Sequence, residues 1–181
     1  LTLNNVVAGE NLSLSGVGTV ADANVAAGNQ SLTLNTLALG NGTAGGGAAA
    51  GLASNYNLSA GTHTANITAR TVNLTGSRTY DGTLNISSTA LTLNNVVAGE
   101  NLSLSGVGTV ADANVAAGNQ SLSLNTLALG NGTAGGGAAA GLASNYNLSA
   151  GTHTANITAR TVNLTGSRTY DGTLNISSTA L

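Results

Sequence analysis

The side chains that most often do catalytic or metal chemistry are few in this chain, and they stand apart from one another. His63 and His153 each lie between two threonines, and the 181 residues include no Cys and no other His. A zinc site needs three or four His, Cys or carboxylate ligands close together, so we expect each His at an exposed strand position or at a crossing edge. No Ser lies in a nucleophile-elbow motif. We therefore predict that the chain is not an enzyme and that it binds no cofactor.

Oxygen-bearing side chains are gathered in one short loop at Asp22, Asn24 and Asn29. Carboxylate and amide oxygens are the ligands that Ca²⁺ prefers, but the terminal Glu of a calcium-binding loop is missing here. Asp and Asn also bond to their own backbone in turns. We therefore predict an Asx-turn loop at this place rather than a metal site.

A Tyr-Asp-Gly tripeptide is the strongest local signal in the chain. Gly accepts a positive φ, and an Asp side chain can hydrogen-bond to the backbone two residues on. The tripeptide follows an alternating run that is typical of a half-buried strand. We predict a structural turn at Tyr80, Asp81 and Gly82, and again at Tyr170, Asp171 and Gly172.

The other two tyrosines, Tyr56 and Tyr146, each stand between two asparagines. The chain has no Phe and no Trp, so tyrosines are its only rings. We predict that Tyr56 and Tyr146 anchor the core. A sugar-binding platform is the alternative, and it requires the rings to be exposed.

Asn-x-Ser/Thr sequons are frequent, and they mark possible glycosylation sites. Most have Leu or Ile in the middle, which an exposed–buried–exposed strand produces without any glycan. We favour the strand interpretation and keep glycosylation as the alternative. The first repeat has them at Asn11, Asn29, Asn41, Asn57, Asn66, Asn73 and Asn85.

The chain is a tandem repeat of 90 residues, and its two copies differ only at Thr33 against Ser123. This period exceeds that of solenoids and suits small domains in series. We predict a boundary where the last strand of one unit meets the first strand of the next. Residues 70–159 then form one complete unit, residues 1–69 lack its opening strands, and residues 160–181 supply the opening strands of a following unit.

The composition excludes some classes of partner. The chain has 6% charged residues and a net charge of −2, so neither nucleic acid nor an anionic membrane is an expected partner. The longest small-apolar run lies near Gly45 and is too short and too rich in Gly to span a bilayer. We therefore predict no membrane span.

Short alternating segments, separated by turns every 8–12 residues, predict an all-β fold. We expect tandem antiparallel β-sandwich domains of Ig-like appearance in an elongated array. The first alternative is a β-grasp-like unit, and the second is a β-helix.

Several blocks of residues occur in the order seen in the YDG repeat domain. These blocks are residues 78–83, 96–104, 111–118, 143–148 and 155–159. The repeat resembles this domain over its whole length, except that the tract at residues 135–141 looks like an enlarged loop. The YDG domain occurs in tandem in large bacterial surface exoproteins, including those similar to filamentous haemagglutinin that are exported by two-partner secretion.

This resemblance implies an extracellular or bacterial cell-surface location and no active site. It also implies that the chain is a structural segment of an adhesin fibre. Such a segment acts as a stalk in adhesion, in biofilms and in cell-cell or matrix contact. The alternative is a glycan- or receptor-binding module with one site per repeat. The expected partners are neighbouring identical repeats, in head-to-tail or lateral contact.

The predicted boundaries also suggest how separate chains meet. Residues 1–69 are expected to leave an unpaired sheet edge, which invites strand addition. Residues 160–181 of another chain have the sequence of the missing strands, as in donor-strand complementation. We therefore expect either that the isolated chain associates head to tail or, as the favoured interpretation, that it is a segment of a continuous fibre whose chain runs on in both directions.

Overall fold

The computed structural model describes residues 1–25, 29–115 and 119–178. Its regular elements are mostly β-strands, so the all-β prediction is confirmed. The only helical elements in the described residues are short 3-10 turns at Ala53–Asn55, Ser88–Ala90 and Ala143–Asn145.

Only some of the strands recur at equivalent positions of the two sequence copies, and residues 160–178 form no strand. The first copy contains β1 (Glu10–Ser15), β2 (Gln30–Ser31), β3 (Ala38–Asn41), β4 (Ala49–Ala50), β5 (Thr64–Ala65), β6 (Arg70–Thr71), β7 (Asn73–Thr79) and β8 (Asn85–Ser87). The second copy contains β9 (Leu91–Asn94), β10 (Glu100–Ser105), β11 (Val107–Thr109), β12 (Gln120–Ser121), β13 (Ala128–Asn131), β14 (Ala139–Ala140), β15 (Tyr146–Asn147) and β16 (His153–Thr158).

The chain divides into two compact units. Unit 1 consists of Leu1–Thr71 with Gly141–Asn147, and unit 2 consists of Val72–Ala140 with the residues from Leu148 onward. The domain boundaries expected at residues 70 and 160 stay a prediction.

Unit 2 is built on a four-stranded sheet in the order β12-β16-β7-β9. The outer pairs are antiparallel, whereas β7 and β16 lie parallel at the centre and pair from His153↔Leu74 to Thr158↔Thr79. Alternate side chains of β16 point into the core, where Ala155 and Ile157 pack with Val72, Leu74 and Ile86 among the most buried residues of the unit. A second pair, β8 with β11, lies antiparallel.

The expectation of purely antiparallel pairing is wrong for this sheet. Parallel neighbours need a long connection between them, and the long stretch between β7 and β16 supplies it. Local alternation in the sequence indicates β7 as a strand, but it holds no information about the direction of a distant partner.

Unit 1 repeats part of this architecture. β1 pairs antiparallel with β3 and parallel with β4, in the same register as the β10 pairs of unit 2. Two short pairs complete the unit, β2 with β5 antiparallel and β6 with β15 parallel. The counterparts of the buried unit 2 residues are only half-buried or exposed here; Ile67, for example, is 37% exposed.

The alternating run at residues 32–39 does not form one continuous strand. Asn35 adopts a φ of +48°, and the backbone N–H of Leu37 donates to the carbonyl of Leu34 at 2.7 Å. Asn tolerates the left-handed region better than most residues, so the break in alternation at this point marks a turn. The turn lets β3 fold back onto β1.

Candidate functional site

The Tyr-Asp-Gly turn follows directly after β7 and is held by its own side chains. Oδ1 of Asp81 accepts hydrogen bonds from the backbone N–H and the hydroxyl of Thr83, both at 2.9 Å. The Arg78 guanidinium donates to the Asp81 carboxylate and to the Thr83 carbonyl. Gly82 has a φ of +82°, and a Cβ there would meet no atom within 4 Å. Gly is therefore favoured at this position by the positive φ and not by a lack of space for a side chain.

These hydrogen bonds also affect the ionisation of the Asp81 carboxyl. The N–H and hydroxyl of Thr83, followed by the charge of Arg78, lower the pKa of the Asp81 carboxyl below its usual range. Hydrogen bonds and a positive neighbour favour the charged form of a carboxyl. Asp81 is therefore an ionised structural group that holds the turn.

The second copy of the turn keeps the same bonds without a paired strand around it. Oδ1 of Asp171 accepts from the N–H of Thr173 at 2.9 Å and from its hydroxyl at 3.0 Å. Gly172 has a φ of +76°. The hydrogen bond from the Arg168 side chain has the largest effect on the Asp171 carboxyl and lowers its pKa. The hydrogen bonds from Thr173 lower it further. The turn is thus determined by its own few residues.

The two turn tyrosines differ in their surroundings. The Tyr80 backbone N–H donates to the carbonyl of Thr158 at 2.8 Å, which ties the turn to the end of β16. Its side chain is 37% exposed, whereas that of Tyr170 is 90% exposed.

Tyr56 and Tyr146, the two tyrosines that stand between asparagines, both make contacts with distant residues of the chain. The Tyr56 hydroxyl donates to Oε2 of Glu10 at 2.6 Å and accepts from the Val7 N–H at 3.2 Å. The bond to the Glu10 carboxylate raises the pKa of the Tyr56 hydroxyl. Tyr146 is buried, and it lies in β15 opposite Arg70 of β6.

His153 is buried in unit 2, contrary to the expectation of an exposed position. Its Nδ1 accepts the backbone N–H of Leu74 at 3.1 Å, and its Nε2 lies 2.8 Å from the carbonyl of Leu148. These partners require the neutral tautomer with the proton on Nε2. The imidazole therefore fastens β7 to β16. The sequence does contain a signal for this role, because His153 shares its strand face with Ala155 and Ile157.

The counterpart in unit 1, His63, keeps only half of this arrangement. Its Nε2 lies 2.7 Å from the carbonyl of Leu58, and among the described residues its Nδ1 has no hydrogen-bond partner. His63 lines an open cavity of ≈ 180 Å³ together with leucines, among them Leu3, Leu32, Leu37 and Leu58. In unit 2 the corresponding place is filled by β7.

The loop considered for calcium is closed by its own hydrogen bonds. Oδ1 of Asp22 accepts from the backbone N–H and the side-chain amide of Asn24, both at 2.8 Å. The same bonds recur between Asp112 and Asn114. This is the geometry of an Asx turn.

The sequence did not predict a contact that Asn145 makes with this loop within unit 1. The Asn145 amide accepts from the Val25 N–H at 2.8 Å and donates to Oδ1 of Asn24 at 2.8 Å. No local pattern could have shown it, because the partners lie 120 residues apart or more.

The comparison with protein families finds the YDG domain at residues 62–155, which is more than half of the chain. The comparisons with curated proteins and with solved structures found no match. In the described ranges, no helix is long and apolar enough to cross a membrane. The same residues contain no group of three or more His, Cys, Asp or Glu side chains placed to hold a metal ion.

Proposed function

Since the chain belongs to the YDG domain family, we propose that it is a structural repeat segment of an extracellular or cell-surface adhesin fibre. In this role it acts as a stalk in adhesion and in cell-cell or matrix contact. The fibre is of the kind formed by large bacterial exoproteins that leave the cell by two-partner secretion. The repeats are its building units, and their neighbours along the chain are their main partners.

One observation carries this proposal: the last strand of one repeat is followed closely by the first strands of the next. β5 is followed at Arg70 by β6 and then β7, and residues 64–74 include neither Gly nor Pro. The same opening sequence stands again at residues 160–177, directly after β16. A chain that starts each new unit where the last one ends is suited to a stiff array rather than to domains on flexible linkers.

The strand order of unit 2 supports the β-grasp-like alternative for the individual unit. An Ig-like sandwich pairs its strands antiparallel, whereas here the first and last strands of the sheet, β7 and β16, lie parallel at its centre. On the outside of the sheet, β9 flanks β7 and β12 flanks β16. We therefore favour β-grasp-like units in tandem.

The side chains support a mechanical role better than a chemical one. The ionised group of the Tyr-Asp-Gly turn, Asp81, is bonded to Thr83 and Arg78. The buried imidazole of His153 bonds two backbone groups. Both groups stabilise the fold and leave no free acid–base pair at the turn or at the β7–β16 pair.

A series of chains with two, three and four repeats tests the stalk. Small-angle X-ray scattering should show a maximum dimension that grows by a constant increment for each added repeat. A compact particle, or increments that vary, would contradict the proposal.

A glycan panel and cell labelling separate the stalk from the binding module. The stalk predicts no glycan bound in proportion to repeat number, and it predicts that antibodies against the chain label intact, unpermeabilised cells of its source. One glycan bound per repeat would favour the alternative function, and labelling only after permeabilisation would exclude a surface location.

A further inference from the structure

The loop at residues 22–25, in the first copy of the repeat, holds the side chain of an asparagine from the second copy. The Asn145 carboxamide accepts a hydrogen bond from the Val25 N–H and donates one to Oδ1 of Asn24, both at 2.8 Å. Both bonds are partly buried, and they join residues 120 and 121 positions apart. The oxygen and the nitrogen of this carboxamide therefore each have a partner in the loop.

The loop is held in shape by its own residues. The Asp22 N–H donates to Oε1 of Gln30 at 2.9 Å, and the Gln30 amide donates back to the Asp22 carbonyl at 3.0 Å. Oδ1 of Asp22 then accepts two bonds from Asn24. The same four bonds recur in the second copy, among Asp112, Asn114 and Gln120. The repeat sequence thus forms this loop in each copy before any contact with Asn145 is considered.

The direction of each hydrogen bond follows from the Asp22 carboxylate. A carboxylate only accepts hydrogen bonds, so Asn24 turns its amide nitrogen toward Asp22 and its Oδ1 toward Asn145. Asn145 must present its own nitrogen to that Oδ1, which leaves its oxygen for the Val25 N–H. A carboxylate in place of the Asn145 amide would bring two acceptors together. The loop therefore selects a carboxamide.

The position of Asn145 is fixed by the residues beside it. It ends the 3-10 turn Ala143–Asn145, and the buried Tyr146 that follows begins β15, which pairs with β6. Residues 141–147 are thus part of unit 1, although they belong to the second copy in sequence. The first copy has an identical 3-10 turn that ends at Asn55, but among the described residues the Asn55 side chain makes no bond with the loop.

From these contacts we infer that the loop and the asparagine form a clamp between consecutive copies of the repeat. The loop of one copy binds the asparagine of the following copy and not its own. The partner of this surface is therefore a second copy of the same sequence, recognised by one acceptor and one donor that a carboxamide satisfies together. Two copies joined in this way stabilise each other locally. The clamp goes beyond the proposed stalk function and does not depend on it.

Amide hydrogen exchange of the 181-residue chain, followed by NMR, tests the clamp. Asn145→Ala should raise the exchange rate of the Val25 amide about fivefold or more, because that N–H loses its acceptor. Asn55→Ala is the matched control: it changes the same turn in the first copy and should leave the Val25 rate as it is. An unchanged Val25 rate in Asn145→Ala, or an equal effect of Asn55→Ala, would overturn the inference.

Two further amides separate a local clamp from a general loss of structure. In Asn145→Ala, the Leu74 amide, which bonds to His153 in unit 2, should keep its exchange rate. The Val115 amide, the counterpart of Val25 in the second copy, should keep its rate as well. Equal losses at Val25 and Leu74 would mean that Asn145 supports the whole fold, and a change at Val115 alone would mean that a copy binds its own asparagine. Either result would overturn the clamp.

Asn145→Asp tests the selection of a carboxamide. Aspartate keeps an acceptor for the Val25 N–H but places an oxygen against Oδ1 of Asn24, so at about pH 7 the Val25 amide should exchange as fast as in Asn145→Ala. Ser144→Ala, at the exposed neighbour in the same turn, is the control and should have no effect. Natural Val25 protection in Asn145→Asp would show that Asn24 takes no part in the recognition, which would contradict the clamp.

Discussion

Residues 70–87 and residues 160–177 have the same sequence and different structures. The first segment forms β6, β7 and β8, and Leu74 within it is fully buried. The second forms no strand, and Leu164 is 80% exposed. The two segments differ in their pairing: β7 lies between β16 and β9, whereas residues 160–177 pair with no strand among the described residues. Strand structure here depends on partners rather than on propensity.

The turn inside these segments does not follow the same rule. Asp81 and Asp171 accept the same two hydrogen bonds from the Thr two residues on, whether or not the flanking residues form strands. An isolated strand gains little in water, because its backbone groups remain hydrated until a partner replaces the water. A turn closed by its own side chain needs no such partner.

The strand that pairs with β7 shows the same dependence on a partner. Residues 153–158 form β16 beside β7, and Ile157 is 2% exposed. The identical residues 63–68, without that partner, keep only the short β5, and Ile67 is 37% exposed. The pairing of β7 with β16 is thus the contact that distinguishes unit 2 from unit 1.

The largest expected difference between the segments is that between Leu74→Ala and Leu164→Ala. Leu74→Ala leaves a cavity in a closed core and should cost unit 2 about 2–5 kcal/mol. Leu164→Ala should stay within about 0.5 kcal/mol, as exposed substitutions do. Urea unfolding followed at the NMR amide signals of β16, in dilute solution, measures both. Equal costs would break the comparison.

A second difference is expected between the two histidines. His153→Ala leaves the Leu74 N–H and the Leu148 carbonyl without their partner in a buried place, and it should cost about 1–3 kcal/mol. His63→Ala should cost clearly less, because among the described residues His63 bonds only the Leu58 carbonyl. Hydrogen exchange at Leu74 reports the first loss directly, since its amide should lose protection in His153→Ala. Unchanged protection would mean that the imidazole does not fasten β7.

Gly82→Ala should cost about 1–2 kcal/mol, because an L-residue is strained at this positive φ. Gly172→Ala places the same strain in a segment with no paired strands, so it should leave the unfolding of unit 2 unchanged. Thermal melts of the two variants, followed by circular dichroism, sharpen the comparison between turn and strand. A Gly82→Ala melt identical to the natural one would show that the turn is free to change its φ.

The smallest effect is expected from pH. The folded pKa of Asp81 lies below its unfolded value, which is about 3.9. Its stabilising contribution is therefore fully present above about pH 4. It is lost as the pH falls through the folded pKa. The difference in melting temperature between the natural chain and Asp81→Asn should shrink over that range, and a difference that is constant from pH 6 to pH 2.5 would contradict the assignment.

A carboxyl titration by NMR compares the two turns at the same time. Asp81 and Asp171 should both titrate below the value of an Asp in an unstructured peptide, because each is bonded by Thr and Arg. An ordinary pKa at Asp171 alone would show that the turn does need its flanking strands.

The parts of the fold that were predictable are those with short-range causes. Alternation predicted the all-β class and the strand before the Tyr-Asp-Gly turn, and the repeat predicted that equivalent elements recur, as β1 and β10 do. The direction of the β7–β16 pair was not predictable, because a parallel neighbour lies far along the chain. Of the candidate site residues, Asp22 was placed in its turn by residue type alone, whereas the buried position of His153 was expected wrongly.

The sequence by itself determined the Tyr-Asp-Gly turns, since Arg78, Asp81, Gly82 and Thr83 supply every bond and the φ that the turn requires. The residues on either side of the turn are the same in both copies. Only the tertiary structure decided that those beside Asp81 became strands and those beside Asp171 did not. A strand exchanges hydrogen bonds to water for bonds to another strand, and it buries its apolar face only where that partner is in place. Leu74 has such partners in β9 and β16, and Leu164, with the same neighbours in sequence, remains in water.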